Sequence, residues 1–282
     1  MPEREGFPAG VPAWIDSAQP DPDAAAAFYG GLFGWEFADR TPAGAETGFL
    51  VARLGGREVA GIRSADADAT MPATWETYIG VDDAEGTVAR VRDAGGTVLT
   101  EPFDVGDLGR AAVCADPSGA GFRLWQPGTR QGAESVNAPG TWNFSELHTD
   151  DVDGAARFYG EVFGWKVSDV DMGGGPATMV RLPGYADFLE RFDPGIRQRH
   201  ADFGAPPGFS ECVAWFFPLD SDTAPQWKVT FAVADADAVA STARDLGGTV
   251  LVEPRNLGPA VRGAVIADPA GARFSANAFS PG

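Results

Sequence analysis

The sequence predicts an α+β chain made of four βαβββ modules, and three observations predict it. First, the block Phe28–Phe37 (FYGGLFGWEF) returns 130 residues on as Phe158–Val167 (FYGEVFGWKV). Second, each block closes a segment that opens on an acid and runs through small and apolar residues, Asp21-Pro-Asp-Ala-Ala-Ala-Ala and Asp151-Val-Asp-Gly-Ala-Ala-Arg. A helix start, an apolar helical face and a Gly-Trp exit therefore repeat as one unit. Third, GGTVLTEP at Gly95 and Asp116-Pro-Ser-Gly119 return 152 residues on as GGTVLVEP at Gly247 and Asp268-Pro-Ala-Gly271. Offsets of this size exceed solenoid periods of about 20–50 residues and suit a duplicated domain.

Taken in order, residues 11–17 (VPAWIDS) read as a short strand and Asp21 to Leu32 as an amphipathic helix. Pro22 sits just inside the helix start, where its missing N–H costs nothing, and Gly30-Gly31 with Gly34 are expected to loosen the helix end. Short strands follow around Trp35–Ala38, Phe49–Leu54 and Glu58–Arg63, separated by turn signals at Pro42-Ala-Gly44 and Gly55-Gly56. The pattern then restarts. Trp75–Val81 alternates as a strand, Asp83–Ala94 has helical period, Gly95-Gly96 ends it, and Thr97–Leu99, Arg110–Ala115 and Gly121–Trp125 supply three more strands.

From Pro127 to Gly140 the chain turns polar and Gly/Pro-rich (PGTRQGAESVNAPG), which reads as a linker. The expected division is a first domain at 1–127, a linker at 128–140 and a second domain at 141–282. The second half repeats the scheme with a strand at Trp142–Thr149, a helix at Val152–Val162, and strands near Trp165–Val170, Ala177–Leu182 and Val229–Val233. A helix at Ala236–Leu246 and strands ending in Arg273–Ala278 close it. Gly173-Gly-Gly175 reads as a turn, since it lacks the GxGxxG spacing ahead of a helix. The two repeat offsets differ by 22 residues, so the second half carries an insertion, placed near 183–209 and expected to be a short helical excursion. Such an insertion serves as a lid, a subunit contact or a neutral surface loop.

Composition narrows the function classes. With 282 residues, 44% hydrophobic and 11% aromatic, the chain can build two cores. Its formal net charge of −19, from 21 basic and 40 acidic residues, repels phosphate backbones and anionic membranes, so neither nucleic acid nor a membrane is an expected partner. Cys114 and Cys212 each lie in an apolar run that reads as a strand, with no Cys-x-x-Cys spacing. They are expected to be buried small hydrophobes in a cytoplasmic protein. No export signal or run of 18 apolar residues is present in the sequence. No Gly-x-Ser-x-Gly elbow occurs, and Asp116-Pro-Ser-Gly119 reads as a turn because its twin carries Ala270 in the serine place.

The FYGxxFGW passages in both halves, the closing DPxGxxF turns and LPGYADFLERFDPG in the second half together resemble the vicinal oxygen chelate superfamily, which includes glyoxalase I, extradiol dioxygenases and bleomycin resistance proteins. More narrowly, the chain is similar to tandem-domain glyoxalase-like proteins of the kind labelled "hydroxylase". The resemblance implies tandem glyoxalase-like domains whose four modules form two open half-barrel cups, with every second strand residue pointing into a cup. It also implies metal ligands on the first strand of each module and a Glu on the last. At the matching places this chain has Trp14, Glu76, Phe144 and Lys228 on first strands, and Arg123 and Ser275 on closing strands. The metal pattern is therefore largely replaced. The best remaining metal argument is Glu146 and His148, which alternate with Phe144, and two donors from one strand do not complete a site.

The expected cups instead offer aromatic area with a few polar handles. Trp14, Trp75, Tyr78, Phe122 and Trp125 are expected to build the first set of walls, and Trp142, Phe144, Trp215, Phe217 and Trp227 the second. Asp16, Glu76 and Arg123 would line the first cup, and Glu146, His148, Lys228 and Asn277 the second. Arg123 could pair with Glu76 across a cup floor. Arg123 or Lys228 could instead recognise a carboxylate or phenolate, and Lys228 could simply reach water. Two functions stay open. One is a metal-independent small-molecule binding protein of the resistance or sequestration kind, monomer or homodimer, holding an aromatic or polyfunctional metabolite without a cofactor. The alternative is a glyoxalase-like lyase or isomerase acting on an oxo-compound, with Glu146 as base and His148 as orienting group, with or without a divalent metal.

Overall fold

The computed structural model describes residues 6–41, 48–65, 73–171, 176–219, 223–258 and 260–279. The turns expected at Pro42–Gly44 and Gly173–Gly175 lie outside them. The first module runs β1 (Pro12–Gln19), α1 (Pro22–Phe33), β2 (Glu36–Asp39), β3 (Phe49–Leu54) and β4 (Arg57–Ser64). The second is β5 (Thr74–Gly80), α2 (Ala84–Asp93), β6 (Thr97–Asp104), β7 (Gly109–Ala115) and β8 (Gly121–Pro127). The third opens with β9 (Thr141–Thr149), α3 (Val152–Phe163), β10 (Lys166–Asp171) and β11 (Pro176–Arg181). It then carries the insertion, α4 (Tyr185–Phe192), α5 (Ile196–Asp202) and a 3-10 helix (Phe209–Glu211), before β12 (Cys212–Pro218). The fourth is β13 (Gln226–Val233), α6 (Ala236–Asp245), β14 (Thr249–Gly258), β15 (Val261–Ala267) and β16 (Arg273–Phe279).

Each half of the chain supplies one open eight-stranded sheet, in the orders β2-β3-β4-β1-β5-β8-β7-β6 and β10-β11-β12-β9-β13-β16-β15-β14. Neither closes into a barrel. The edge position of β6 explains its length. The sequence placed its end at Leu99, yet it runs to Asp104 through Pro102, which an edge strand tolerates because its outward N–H has no ladder partner to lose.

The one helix of each module starts from an acid at the cap position, whereas α4 and α5 of the insertion start on glycines without a side-chain cap. The side chains of Asp21, Asp83 and Asp151 accept the backbone N–H of Ala24, Gly86 and Gly154. Helices α1 and α3 end on Gly34 and Gly164, whose left-handed φ of 73° and 76° a side chain would resist. The expectation that Gly30-Gly31 loosens α1 is corrected, because the helix passes through both. A Cβ on Gly31 would stand 2.9 Å from Leu246 Cδ1, so this glycine permits close approach rather than termination. The paired glycines after α2 and α6 divide their work. Gly95 and Gly247 take φ of 87° and 86°, whereas a Cβ on Gly96 or Gly248 would press on Phe158 or Phe28 and on a backbone carbonyl.

The described chain gathers into two compact units, each drawing on both sequence halves. The first comprises 1–13, 77–132 and 144–227, and the second 14–76, 133–143 and 228–282. Within the first, Phe158 and Tyr159 of α3 pack on Phe122 of β8, and Tyr159 on Phe216 and Trp227. In the second, Tyr29 and Phe33 of α1 pack on Phe274, and Phe33 and Trp75 on Phe231. The repeated motifs meet here. Trp227 Nε1 donates to Tyr159 Oη, and that hydroxyl donates to Asp116 of the Asp-Pro turn. Trp75, Tyr29 and Asp268 repeat the relay, with Gln19 Nε2 as a further donor to Asp268. Burial above all, then the neighbouring carboxylate, pushes both phenols well above their ordinary range.

Residues 128–140, expected as a linker, form no helix or strand but are docked. Ala133 and Val136 are buried, and Glu134 exchanges hydrogen bonds with the backbone of Glu58. The insertion is helical, as its sequence suggested.

Candidate ligand-binding site

The period of two along each strand decides which side chains meet helices and which face away from them. On β9, Leu147 belongs to the helix-side core, so Phe144, Glu146 and His148 face the other way. Strands β11, β12 and β9 lie side by side with Met179 beside Trp215, Trp215 beside Glu146, and Phe217 beside His148. An apolar cluster of the first unit results, made of Ala177, Met179, Cys212 and Trp215 with Phe144, Phe209 and Phe217 packed against it. Phe144 meets Trp215 at 6.3 Å and Phe209 at 6.1 Å between ring centroids, both edge-on. This arrangement suits a planar apolar surface.

The polar end of this face is the pair expected from sequence. The His148 ring stacks on Phe217 at 5.4 Å, and its Nε2 lies 3.6 Å from Glu146 Oε2. That separation is too long for a hydrogen bond, and His148 Nε2 is buried without a partner. The Glu146 and His148 side chains are about one-sixth exposed, although the His148 Nε2 atom itself is buried. An imidazole nitrogen and a carboxylate oxygen at this spacing could together hold a hydroxyl or carbonyl, or pass a proton.

The other expected residues fall into separate groups. In the second unit, Asp16 and Glu76 are brought together by Arg63, which the sequence reading missed. Its Nη2 stands 2.7 Å from Glu76 Oε2 and its Nε 3.4 Å from Asp16 Oδ1. Gly61 opposite Asp16 makes room, since a Cβ there would stand 3.0 Å from both Asp16 Cβ and the Phe49 ring. The visible signal was an arginine two places after a glycine, at the end of the apolar run Val59-Ala-Gly-Ile62. Trp14 is buried on the same side of β1 as Asp16. In the first unit, Tyr78 and Arg123 are register partners, the Arg123 guanidinium lies 5.5 Å above the Tyr78 ring, and Trp125 meets that ring edge-on at 6.3 Å. Lys228 alternates with the buried Trp227 and Val229 on β13. Asn277 Oδ1 is buried without a hydrogen-bond partner beside Gly263, where a Cβ would stand 2.2 Å away.

Three expected wall residues are corrected. Trp75, Phe122 and Trp227 pack into helix-side cores, against Tyr29, Phe158 and Tyr159 respectively. They neighbour Glu76, Arg123 and Lys228 in sequence, so a pleated strand must send them to the opposite face. Also missed were Phe209 and Met179, on whose role strand alternation around the inserted segment gave no signal.

Cysteine chemistry has no support. Burial pushes the Cys114 thiol up to about 12 and raises that of Cys212 further, so neither offers a thiolate at neutral pH. The donor set does not fit a divalent metal either. Among the described residues no three of His, Cys, Asp and Glu stand together, and Arg63 holds the Asp16 and Glu76 carboxylates as a cation would. A cavity of about 260 Å³ in the first unit, lined by Gly10, Asp82, Asp83, Arg90 and Phe163, is a poorer candidate. There Asp83 caps α2 and Arg90 donates to the Val162 carbonyl, so two of its charged groups are already engaged.

Comparison with known proteins places these features in a family. Residues 12–124 match the family described as Glyoxalase/Bleomycin resistance protein/Dioxygenase superfamily, and residues 145–277 match Glyoxalase-like domain. The chain is 36% identical over 277 residues to "Putative glyoxylase CFP32" of Mycobacterium tuberculosis, covering 98% of this chain and 97% of that protein. It is 36% identical over 282 residues to "Anthracycline biosynthesis protein DnrV" of Streptomyces peucetius, covering 95% and 93%. Among solved structures it is similar to the Mn(II)-bound glyoxalase from Novosphingobium aromaticivorans, with a TM-score of 0.61 at 17% identity, covering 96% of this chain and 82% of that one. The 2,3-dioxygenase LapB from Pseudomonas sp. KL28 is similar too, with a TM-score of 0.61 at 15% identity, covering 96% and 93%. At such identities the structural likeness speaks for the fold alone.

Proposed function

The chain belongs to the glyoxalase/bleomycin resistance/dioxygenase superfamily, the vicinal oxygen chelate proteins, as a tandem-domain member, and on that premise we propose that it binds a planar aromatic metabolite without a metal. The ligand lies on the Phe144–Trp215–Phe217 face of the first unit and presents an oxygen to His148. The observation that carries this reading is His148 Nε2, which is buried at the end of an aromatic surface with no hydrogen-bond partner and only the 3.6 Å contact to Glu146 Oε2. An orphaned buried nitrogen costs about 1–3 kcal/mol, which a ligand hydroxyl or carbonyl would recover. The name of the relative in anthracycline biosynthesis supports a polycyclic, oxygen-bearing aromatic as the ligand class.

A second reading is favoured by one distance. Glu146 Oε2 stands 3.6 Å from His148 Nε2, so a substrate carbonyl held by the His148 N–H would bring its neighbouring C–H towards Glu146. On an α-hydroxycarbonyl substrate, Glu146 would take that proton from the hydroxyl-bearing carbon and return it to the former carbonyl carbon while the hydroxyl proton passes to the former carbonyl oxygen, an isomerisation that conserves atoms and electrons. The relative named as a glyoxylase supports it. The experiment is to titrate the protein with hydroxylated fused-ring aromatics by calorimetry and to recover the ligand afterwards. Saturable binding with the ligand unchanged supports the first reading. Product appearance that collapses in Glu146→Gln while binding persists supports the second, and no binding of any such compound overturns both.

A further inference from the structure

Resting on the binding reading above, we infer that the second-half insertion sets which ligands the first unit accepts, with Phe209 as the specificity-determining side chain and His200 as the residue that positions it. The Phe209 ring stands 6.1 Å from Phe144 and 6.4 Å from Trp215, so the aromatic face ends on a ring that belongs to none of its strands. The first half has nothing equivalent. There β3 and β4 are joined through Gly55-Gly56, whereas the corresponding β11 and β12 are joined by α4, α5 and the 3-10 helix.

Two sets of ties fix where that ring stands. On one side, Leu182 donates its N–H to the Glu211 carbonyl and Gly184 donates to Glu211 Oε1, which anchors the 3-10 helix to the end of β11. On the other, His200 of α5 meets the Phe209 ring edge-on at 5.0 Å, and its Nδ1 shares a 2.8 Å hydrogen bond with Ser210 Oγ. A phenylalanine held from both sides is a stop rather than a loose flap, and a planar ligand spread over Phe144 and Trp215 meets it at one end. Ligand length is therefore the property that Phe209 reads.

The probes are 2-naphthol, with two fused rings, and 1-hydroxyanthraquinone, with three, each titrated into the full-length protein by quenching of tryptophan fluorescence. The readout is the ratio of the two dissociation constants, which a general loss of folded protein leaves unchanged because both affinities fall together. Phe209→Ala is expected to move the ratio towards the longer probe by at least about fivefold, and Phe209→Trp to move it the other way. His200→Ala shifts it in the same direction as Phe209→Ala by a smaller factor. If Phe209→Ala does not fold, Phe209→Leu and Phe209→Trp decide the matter by the sign of the shift. Wild-type binding of both probes with a ratio unmoved by any Phe209 variant overturns this inference alone. Wild-type binding of neither overturns the binding reading and this inference with it.

Discussion

His148 is a case where a side chain's position costs the empty protein something. Its Nε2 has no hydrogen-bond partner while its ring stacks on Phe217, so replacing it with Phe removes the unsatisfied nitrogen and keeps the ring. His148→Phe should therefore leave the unliganded protein as stable or more stable by up to about 1 kcal/mol, while weakening binding of a hydroxylated aromatic about tenfold. Thermal melts with and without ligand measure both signs, and a variant that loses stability but keeps affinity contradicts the assignment. The parity of Glu146, His148 and Phe144 was legible, because alternation along a strand needs no knowledge of its neighbours. Arg63 was not. Its link to Asp16 and Glu76 depends on β4 lying parallel beside β1, a pairing that no local pattern reports.

At the scale of elements, the repeated motifs are repeated because they touch. Tyr159 and Tyr29 each donate to a buried Asp of an Asp-Pro turn, and each accepts from a tryptophan Nε1. Tyr159→Phe should cost about 1–3 kcal/mol in urea unfolding, since the buried Asp116 carboxylate and Trp227 N–H both lose a partner. The two phenols also set an alkaline limit. Their pKa values are raised in the folded state, so the stabilisation is fully present below the unfolded value near 10 and is lost as pH rises from there towards the folded values. Urea midpoints should hold up to about pH 10 and decline above it. The decline should be shallower in Tyr159→Phe. The second glycine of each GG pair makes a further prediction. Gly96→Ala should destabilise by about 1–3 kcal/mol, because its Cβ would meet Phe158 at 2.7 Å and the Ala115 carbonyl at 2.9 Å.

At the scale of the molecule, each half of the chain supplies one sheet, whereas each compact unit draws on both halves. The second unit sets Tyr29 and Phe33 of α1 on Phe231 and Phe274, which lie beyond residue 140. A fragment of residues 1–127 alone is therefore expected to bind a hydrophobic dye and melt without cooperativity. Mixing it with residues 128–282 should restore a cooperative transition. A sharp melt of the isolated fragment would contradict this packing. No helix among the described residues is long and apolar enough to cross a membrane. The sequence by itself determined the α+β class, the four modules, the capped helix starts, the insertion and the alternate strand residues facing away from the helices. All of these are written in local periodicity, in turn residues and in the repeat. Alternation puts Trp75, Phe122 and Trp227 opposite Glu76, Arg123 and Lys228, but only the tertiary structure decided which of those faces the helices cover, that Arg63 joins Asp16 to Glu76, and that Phe209 completes the aromatic face. Those outcomes depend on which strand lies beside which and on which helix covers it, and long-range pairing of that kind leaves no period in the chain.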